Sequence, residues 1–246
     1  MTGPRGRPKT GARSAHRVVT EGIGLGILKG EFKSGELLPS PEELALRYKV
    51  SRTVQREAFK TLAAKGLVAS KTKVGTWVTP PRSWNMFDTE LLEWRTRLGM
   101  DQEFIASLFE VRRALEPEAA ALAAERRTQE QLRELREIAR TMSECRDSGR
   151  FIELDLAFHV LISDASANPF LQSLGGLIEA ALAAAFARST PLHDPVQLRL
   201  SALQHEAICQ AIEAGDPEAA RQAMIAVIDT GAVNARRSLE AAQAAS

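Results

Sequence analysis

The chain has 246 residues, of which 44% are hydrophobic, 26% charged and 5% aromatic. That suffices for a core in one large domain or two ordinary ones, and Cys145 and Cys209 alone supply neither a disulfide framework nor a Cys-based zinc site. No apolar run approaches the roughly 18–20 residues of a bilayer span, and the N-terminus lacks an apolar signal core, so a soluble cytoplasmic protein without membrane partners is expected. The net charge of +1 hides a division: residues 1–82 hold 16 Lys+Arg against 6 Asp+Glu, a net +10, and residues 83–246 hold 16 Arg against 25 Asp+Glu, a net −9. A cationic module joined to an anionic one points to a polyanion partner for the first.

Residues 1–16, almost without large apolar side chains, read as a flexible basic tail. Apolar spacing predicts a helix over 18–28, weakened by Gly22, Gly24 and Gly26. Ser40-Pro41-Glu42-Glu43 then starts a short helix running to about Tyr48, with a capping Ser, Pro at the first position and a Glu that closes a capping box. Ser51 caps a second helix reaching about Lys65, ended by Gly66. Two β-prone runs, 67–70 and 76–79, flank Lys71-Thr72-Lys73-Val74-Gly75 as a hairpin. Pro80-Pro81 stops this module, and a linker follows. Beyond it helical periodicity covers 89–98, 101–126, 129–147, 150–166, 169–188, 195–214 and 217–241. Asn168-Pro169 and Asp216-Pro217 mark helix starts, and Gly149 and Gly215 helix ends. The expected fold is mainly α: a winged helix-turn-helix over 17–80, a linker over 81–94 and an all-α antiparallel bundle over 95–246.

Helix, short turn, helix and hairpin suit a DNA groove. The first turn of the second helix places Arg52, Thr53 and Arg56 where the major groove is read, and Arg52 and Arg56, four apart, share a face. Ser51 at the helix N-terminus can hold a phosphate. Lys71 and Lys73 at the hairpin tip reach phosphate or a minor groove, and Gly75 permits close approach of the backbone. In the tail, Pro4-Arg5-Gly6-Arg7-Pro8-Lys9 resembles an AT-hook core, which would set Arg5 and Arg7 in a narrow A·T minor groove; phosphate attraction by a basic tail is the competing reading.

In the acidic half, Asp155 and His159 stand four apart on one helix face, a spacing that suits a divalent metal such as Zn²⁺, Ni²⁺ or Mn²⁺ and equally suits an Asp–His hydrogen bond. His205, on a later helix, can complete a site across the bundle.

Residues 30–78, with Leu38-Pro39-Ser40, Glu43-Leu44-Ala45, Val50-Ser51-Arg52-Thr53-Val54-Gln55-Arg56-Glu57-Ala58 and Gly75-Thr76-Trp77-Val78, resemble the DNA-binding domain of GntR-family transcriptional regulators. The chain departs from that pattern at Ser34, where a Pro is usual, at Pro41, where a Glu is usual, and at Glu42, where some members carry a base-contacting Arg. The second half resembles the FCD ligand-binding domain of the FadR subfamily. Glu110-Val111-Arg112-Arg113-Ala114-Leu115-Glu116-Pro117, Asp155 with Phe158-His159, Asn168-Pro169-Phe170-Leu171 and His205-Glu206-Ala207-Ile208 carry that likeness. It implies Asp155, His159 and His205 as metal ligands, with the fourth His of metal-binding members absent near Val227. It also implies Arg112 as a carboxylate clamp, the alternative being a salt bridge to Glu116; Gln204 and Asn168 could bond effector hydroxyls, Asn168 equally serving only as an N-cap.

The segment from Ser83 to Trp94 looks like that of galactonate-operon repressors, which directs the effector expectation towards a sugar acid. Together these imply a repressor without enzymatic activity, binding a palindromic operator in double-stranded DNA as a homodimer under control of a small carboxylate. The competing classes are a metal-dependent hydrolase using Asp155, His159 and His205, and an architectural DNA-binding protein without an effector.

Overall fold

The computed structural model describes residues 10–186 and 195–244. Its first helix, α1 (Thr10–Leu28), starts inside the stretch read as tail. No Pro interrupts residues 10–17, and His16 Nε2 meets Thr61 Oγ1 at 3.1 Å, which anchors that turn to the next helices. The three glycines of α1 permit close approach. An added Cβ would stand 2.6 Å from the Tyr48 ring at Gly22, 2.2 Å from Trp94 at Gly24 and 2.6 Å from Phe32 at Gly26.

Next come α2 (Pro41–Tyr48) and α3 (Arg52–Ala64). The Ser40 side chain accepts from the Glu43 N–H while the Glu43 carboxylate accepts from the Ser40 N–H, the reciprocal box that the sequence predicts. Ser51 caps α3 by accepting from the Val54 N–H, and Gly66, at φ +78°, ends it. β1 (Val68–Lys71) and β2 (Gly75–Val78) pair antiparallel, with Val68 opposite Val78 and Lys71 opposite Gly75, and Leu37 bridges to Trp77. Val19, Ile23, Leu44, Ala58, Leu62, Leu67 and Val78 form the core of this winged helix-turn-helix.

Residues 81–94 do not hang free. A 3-10 turn (Pro81–Ser83) leads into α4 (Thr89–Leu98), whose Leu91 and Trp94 enter the same core. Lys65, 6% exposed, pairs with Asp88 at 2.7 Å and Glu90 at 2.8 Å, and its ammonium lies 5.5 Å from the Trp94 ring centroid. The chain accordingly divides into two compact units after Leu98, four residues beyond the expected linker end.

The second unit is helical throughout its described residues: α5 (Gln102–Arg126), α6 (Gln129–Glu144), α7 (Ser148–Ala165), α8 (Pro169–Gln172), α9 (Gly175–Phe186), α10 (Pro195–Ala214) and α11 (Pro217–Ala244). α5 and α11 pack along much of their lengths, and α7 and α10 lean on α5. Two expectations change here. The helix expected over 169–188 is broken into α8 and α9, because Gly175-Gly176 resists propagation while the Leu174 N–H turns back to the Leu171 carbonyl. Gly149 ends no helix; it lies in the first turn of α7, which Asp147 caps by accepting from the Arg150 N–H. Gly215, at φ +68°, does follow α10 directly.

The close approach at Gly24 yields a test in which two effects oppose. Helix propensity alone makes Gly24→Ala stabilising by about 1 kcal/mol. The added methyl meets a buried Trp94 ring that cannot retreat, and overpacking costs about 1–3 kcal/mol. Urea denaturation is expected to show a net loss of stability.

Candidate functional site

The first unit presents a basic surface built by its helix-turn-helix and hairpin. Ser51, Arg52, Thr53 and Arg56 are exposed in the first turns of α3, on the side away from buried Ala58 and Leu62. Ser51 is also the N-cap, so its hydroxyl serves the helix. Lys71 ends β1, Lys73 occupies the turn with a left-handed φ of +65°, and Gly75 opens β2 at φ +122°; all three are exposed. Arg5 and Arg7 lie outside the described residues.

Two contacts on this surface are not legible from residue types. Gln55, 2% exposed, donates from Nε2 to the Pro41 carbonyl at 3.0 Å, which ties α2 to α3 and fixes their angle. Arg52 Nη2 donates to Glu42 Oε1 at 2.5 Å, bringing the departure at Glu42 directly onto the first turn of α3. Glu57 stands 3.0 Å from Lys60 and 3.9 Å from Arg56.

The second unit buries its chemistry. Arg112 and Glu116 on α5, Asp155 and His159 on α7, and His205 on α10 are all at most 4% exposed. Asp155 and His159 share a face of α7 because they are one turn apart, and α10 brings His205 to the same place from across the bundle. His205 Nδ1 lies 2.7 Å from the Ser201 carbonyl, which can only accept, so Nδ1 carries a proton, and Nε2 faces Asp155 Oδ1 at 2.6 Å. His159 Nδ1 approaches Glu116 Oε2 at 2.6 Å, off the direction of a well-aligned N–H bond, and its Nε2 stands 3.9 Å from Asp155 Oδ1. The edges of Phe151 and Phe158 close around the imidazoles.

Electrostatics sharpen this arrangement. Burial pushes the Asp155 carboxyl upward, but His205, His159 and Arg112 outweigh it and hold it below the usual aspartate range. Burial likewise opposes ionisation of Glu116, and the Arg112 guanidinium, with His159, brings it down to about 2. Asp155 Oδ1 and His205 Nε2, 2.6 Å apart, require a proton between them or a cation beside them. The ligand atoms of Asp155, His159 and His205 lie within 4.8 Å of one another, and His159 Nε2 and His205 Nε2 are buried without an aligned hydrogen-bond partner. One carboxylate oxygen and two imidazole nitrogens fit Zn²⁺, Ni²⁺ or Mn²⁺. At the expected position of a fourth His, Val227 is buried in α11 and offers no ligand atom.

The three residues matched to an effector do not converge in the same way. Arg112 uses Nε and Nη2 on the two oxygens of Glu116, at 2.5 and 3.2 Å, so the salt bridge that competed with the clamp is the observed contact. Asn168 caps α8 by accepting from the Phe170 N–H at 3.0 Å. Gln204 Nε2 donates to Thr230 Oγ1 on α11 at 3.0 Å. Glu116 is the site member that residue spacing hides: the i,i+4 relation to Arg112 is visible, whereas its approach to His159 depends on how α5 meets α7.

Comparison with known proteins agrees with both halves. Residues 17–78 match the model of bacterial regulatory proteins of the gntR family, and residues 107–230 match the FCD domain. The chain is 37% identical over 214 residues to the uncharacterized HTH-type transcriptional regulator YieP of Escherichia coli, covering 86% of this chain and 91% of that one. It is 33% identical over 207 residues to the galactonate operon transcriptional repressor of the same organism, covering 84% and 90%. In fold it resembles Lar of Listeria monocytogenes, with a TM-score of 0.60, 20% identity and 94% and 99% coverage. With a cationic winged helix matched by one model and a buried, charge-bearing bundle matched by the other, the chain belongs to the GntR family of bacterial transcriptional regulators, in the group with an FCD domain, and is a DNA-binding regulator and not an enzyme.

Proposed function

We propose that the chain is a repressor that binds a palindromic operator as a homodimer in the cytoplasm and leaves it when a small carboxylate, of the sugar-acid class, enters the helical unit. The observation that carries the effector half is the convergence of Asp155, His159 and His205, with His159 Nε2 and His205 Nε2 buried without an aligned hydrogen bond. Those three residues would hold a divalent cation, which supplies a Lewis-acid anchor for carboxylate or hydroxyl oxygens. The fixed charges of Arg112, Glu116 and Asp155 sum to −1 before any proton or cation on the imidazoles is counted. A carboxylate alone would make that −2 in a low-dielectric interior, so its entry calls for compensating positive charge. The Ser201 carbonyl, by taking the Nδ1 proton of His205, turns Nε2 inward. Arg112 and Glu116 hold one another, and Glu116 faces His159 from α5, so the site's charges are set before any ligand enters. Likeness to a galactonate operon repressor supports an aldonic acid, and Gln204 and Asn168 could bond its hydroxyls only by leaving their present partners.

On the DNA side, Arg52, Thr53 and Arg56 read bases, Ser51 sits at a phosphate, and Lys71, Lys73 and the backbone at Gly75 contact the duplex flank. Arg5 and Arg7 of the tail reach the adjacent minor groove. A shift of one half-site relative to the other then loses contacts in both, since dimers read sites at fixed spacing.

Three measurements follow. In a thermal-shift screen of aldonic and uronic acids with and without EDTA, a true effector at 100 times its Kd adds about 2.7 kcal/mol, the chelator abolishes the shift, and His205→Ala shows none. No ligand-dependent change in melting or in DNA affinity would favour an architectural protein instead. In an operator titration over a NaCl series, Lys71→Ala and Lys73→Ala, each removing one phosphate contact per protomer, are each expected to flatten the dimer's log–log slope by about 2 without altering base preference. Acid stability tests the buried pair. Because the folded-state pKa of Glu116 is about 2, below its unfolded value, its stabilising contribution is full above about pH 4.5 and is lost as pH falls towards 2. Glu116→Gln strands the Arg112 charge at a cost of about 3–5 kcal/mol near pH 7, and the gap between the two melting curves should close over that acid window.

A further inference from the structure

Glu42 and Arg52 are joined on the DNA-facing surface, with side chains 62% and 76% exposed, so the core does not need their contact. An exposed pair of this kind adds little to stability. Yet both ends are set in place. Glu42 occupies the first turn of α2 between Pro41 and the capping-box residue Glu43, where the helix N-terminus favours a carboxylate. α2 is in turn tied to α3 by the hydrogen bond from Gln55 to the Pro41 carbonyl. The carboxylate takes one N–H of Nη2, leaving the other guanidinium donors free, and a guanine needs only two of them for a bidentate contact.

We propose that Glu42 is a specificity-determining residue of the recognition surface, a positioning carboxylate that holds Arg52 to one guanine in each half-site and keeps it off the phosphates. This rests on α3 being the base-reading helix. A guanidinium braced on one edge presents a single orientation and loses less side-chain freedom when it meets a base. The same carboxylate is repelled by the DNA backbone, so a register in which the pair lies over phosphates is penalised where a free arginine would bind it well. Glu42 thereby lowers affinity for duplex in general and raises the ratio of specific to non-specific binding. The acids around α3 act in different places: Glu57 hydrogen-bonds Lys60 and stands 3.9 Å from Arg56, and Glu42 sits at Arg52 itself.

The test is in vitro selection from a randomised duplex library with the full chain, comparing wild type, Glu42→Gln and Arg52→Ala. It is followed by anisotropy titrations of the selected palindrome, its single-base variants and a random duplex at several salt concentrations. Glu42→Gln is expected to melt with the wild type and to bind random duplex several-fold more tightly. It should lose about 5–10-fold of its preference at one base pair per half-site, the same base pair flattened by Arg52→Ala. Its salt slope should steepen by about 2 for the dimer, as Arg52 of each protomer moves to a phosphate. Unchanged preference and slope in Glu42→Gln would overturn the proposal. So would loss of preference at a different base pair from that of Arg52→Ala, which would make Glu42 a direct reader of cytosine. If Arg52→Ala keeps the full selected sequence, the reading of α3 fails first, and the role of Glu42 with it.

Discussion

Five ionisable side chains share a helical interior, and moving each from water costs several kcal/mol unless it is compensated. The compensation is spread over three helices: Arg112 and Glu116 neutralise one another along α5, Glu116 also faces His159 of α7, and Asp155 of α7 faces His205 of α10. None of these helices can slide by a turn without leaving a buried charge alone, so the register of the bundle core is fixed by electrostatics as much as by its leucines and alanines. The same constraint bears on the ligand response proposed for this interior. A site whose fixed charges stand one positive charge short of neutrality is tolerant of a cation and hostile to a bare carboxylate, and any group that changes that sum acts on residues of α5, α7 and α10 together.

Much of this was readable from residue order, and the exceptions have physical causes. Capping boxes, Pro at the first helical position and Gly with positive φ are local, so the starts of α2 and α11 and the ends of α3 and α10 are marked in the chain itself. Asp155 and His159 are one turn apart on one helix, and their shared face needs no tertiary knowledge. By contrast, glycines 22, 24 and 26 look like weak points of a helix, and only the rings of Tyr48, Trp94 and Phe32 reveal that a Cβ has no room there. Gly149 resembles a terminator until Asp147 caps the turn that contains it. The roles of Glu116 and Gln55 are non-local in the same sense, because each depends on the angle at which two helices meet.

The segment after the hairpin shows how composition misleads about freedom. Pro80-Pro81, Ser83 and Asn85 read as a connector, and the backbone does turn there. Yet the Asn85 N–H bonds to the Lys65 carbonyl at the end of α3, Lys65 is buried between Asp88 and Glu90, and Trp94 fills the space left by Gly24. A polar, proline-bearing stretch is thus part of the DNA-binding unit, anchored through a buried lysine whose charge is matched twice. Burial works against protonated Lys65, and the hydrogen bonds to Asp88 and Glu90 more than offset it, so its pKa rises. Any motion passed along the chain towards α3 arrives through this braced segment, at the C-terminal end of the helix whose N-terminal end carries Arg52 and Arg56.

The net +10 of the first module is a measure of attraction, not of recognition. On α3 itself every exposed cation of the reading face has an acid nearby: Arg52 has Glu42, while Arg56 and Lys60 have Glu57. Lys71 and Lys73 on the hairpin make no ion pair among the described residues. The surface is therefore divided by chemistry. Unpaired lysines, point charges on flexible stems, supply salt-sensitive affinity that is blind to sequence. Arginines checked by carboxylates contribute less general attraction, and what they retain is a directed fork suited to one base edge. Discrimination is a difference between two affinities, so an acidic residue that weakens both, but the non-specific one more, improves it. Where the acids sit among the arginines therefore bears more on what the protein reads than how many arginines it has.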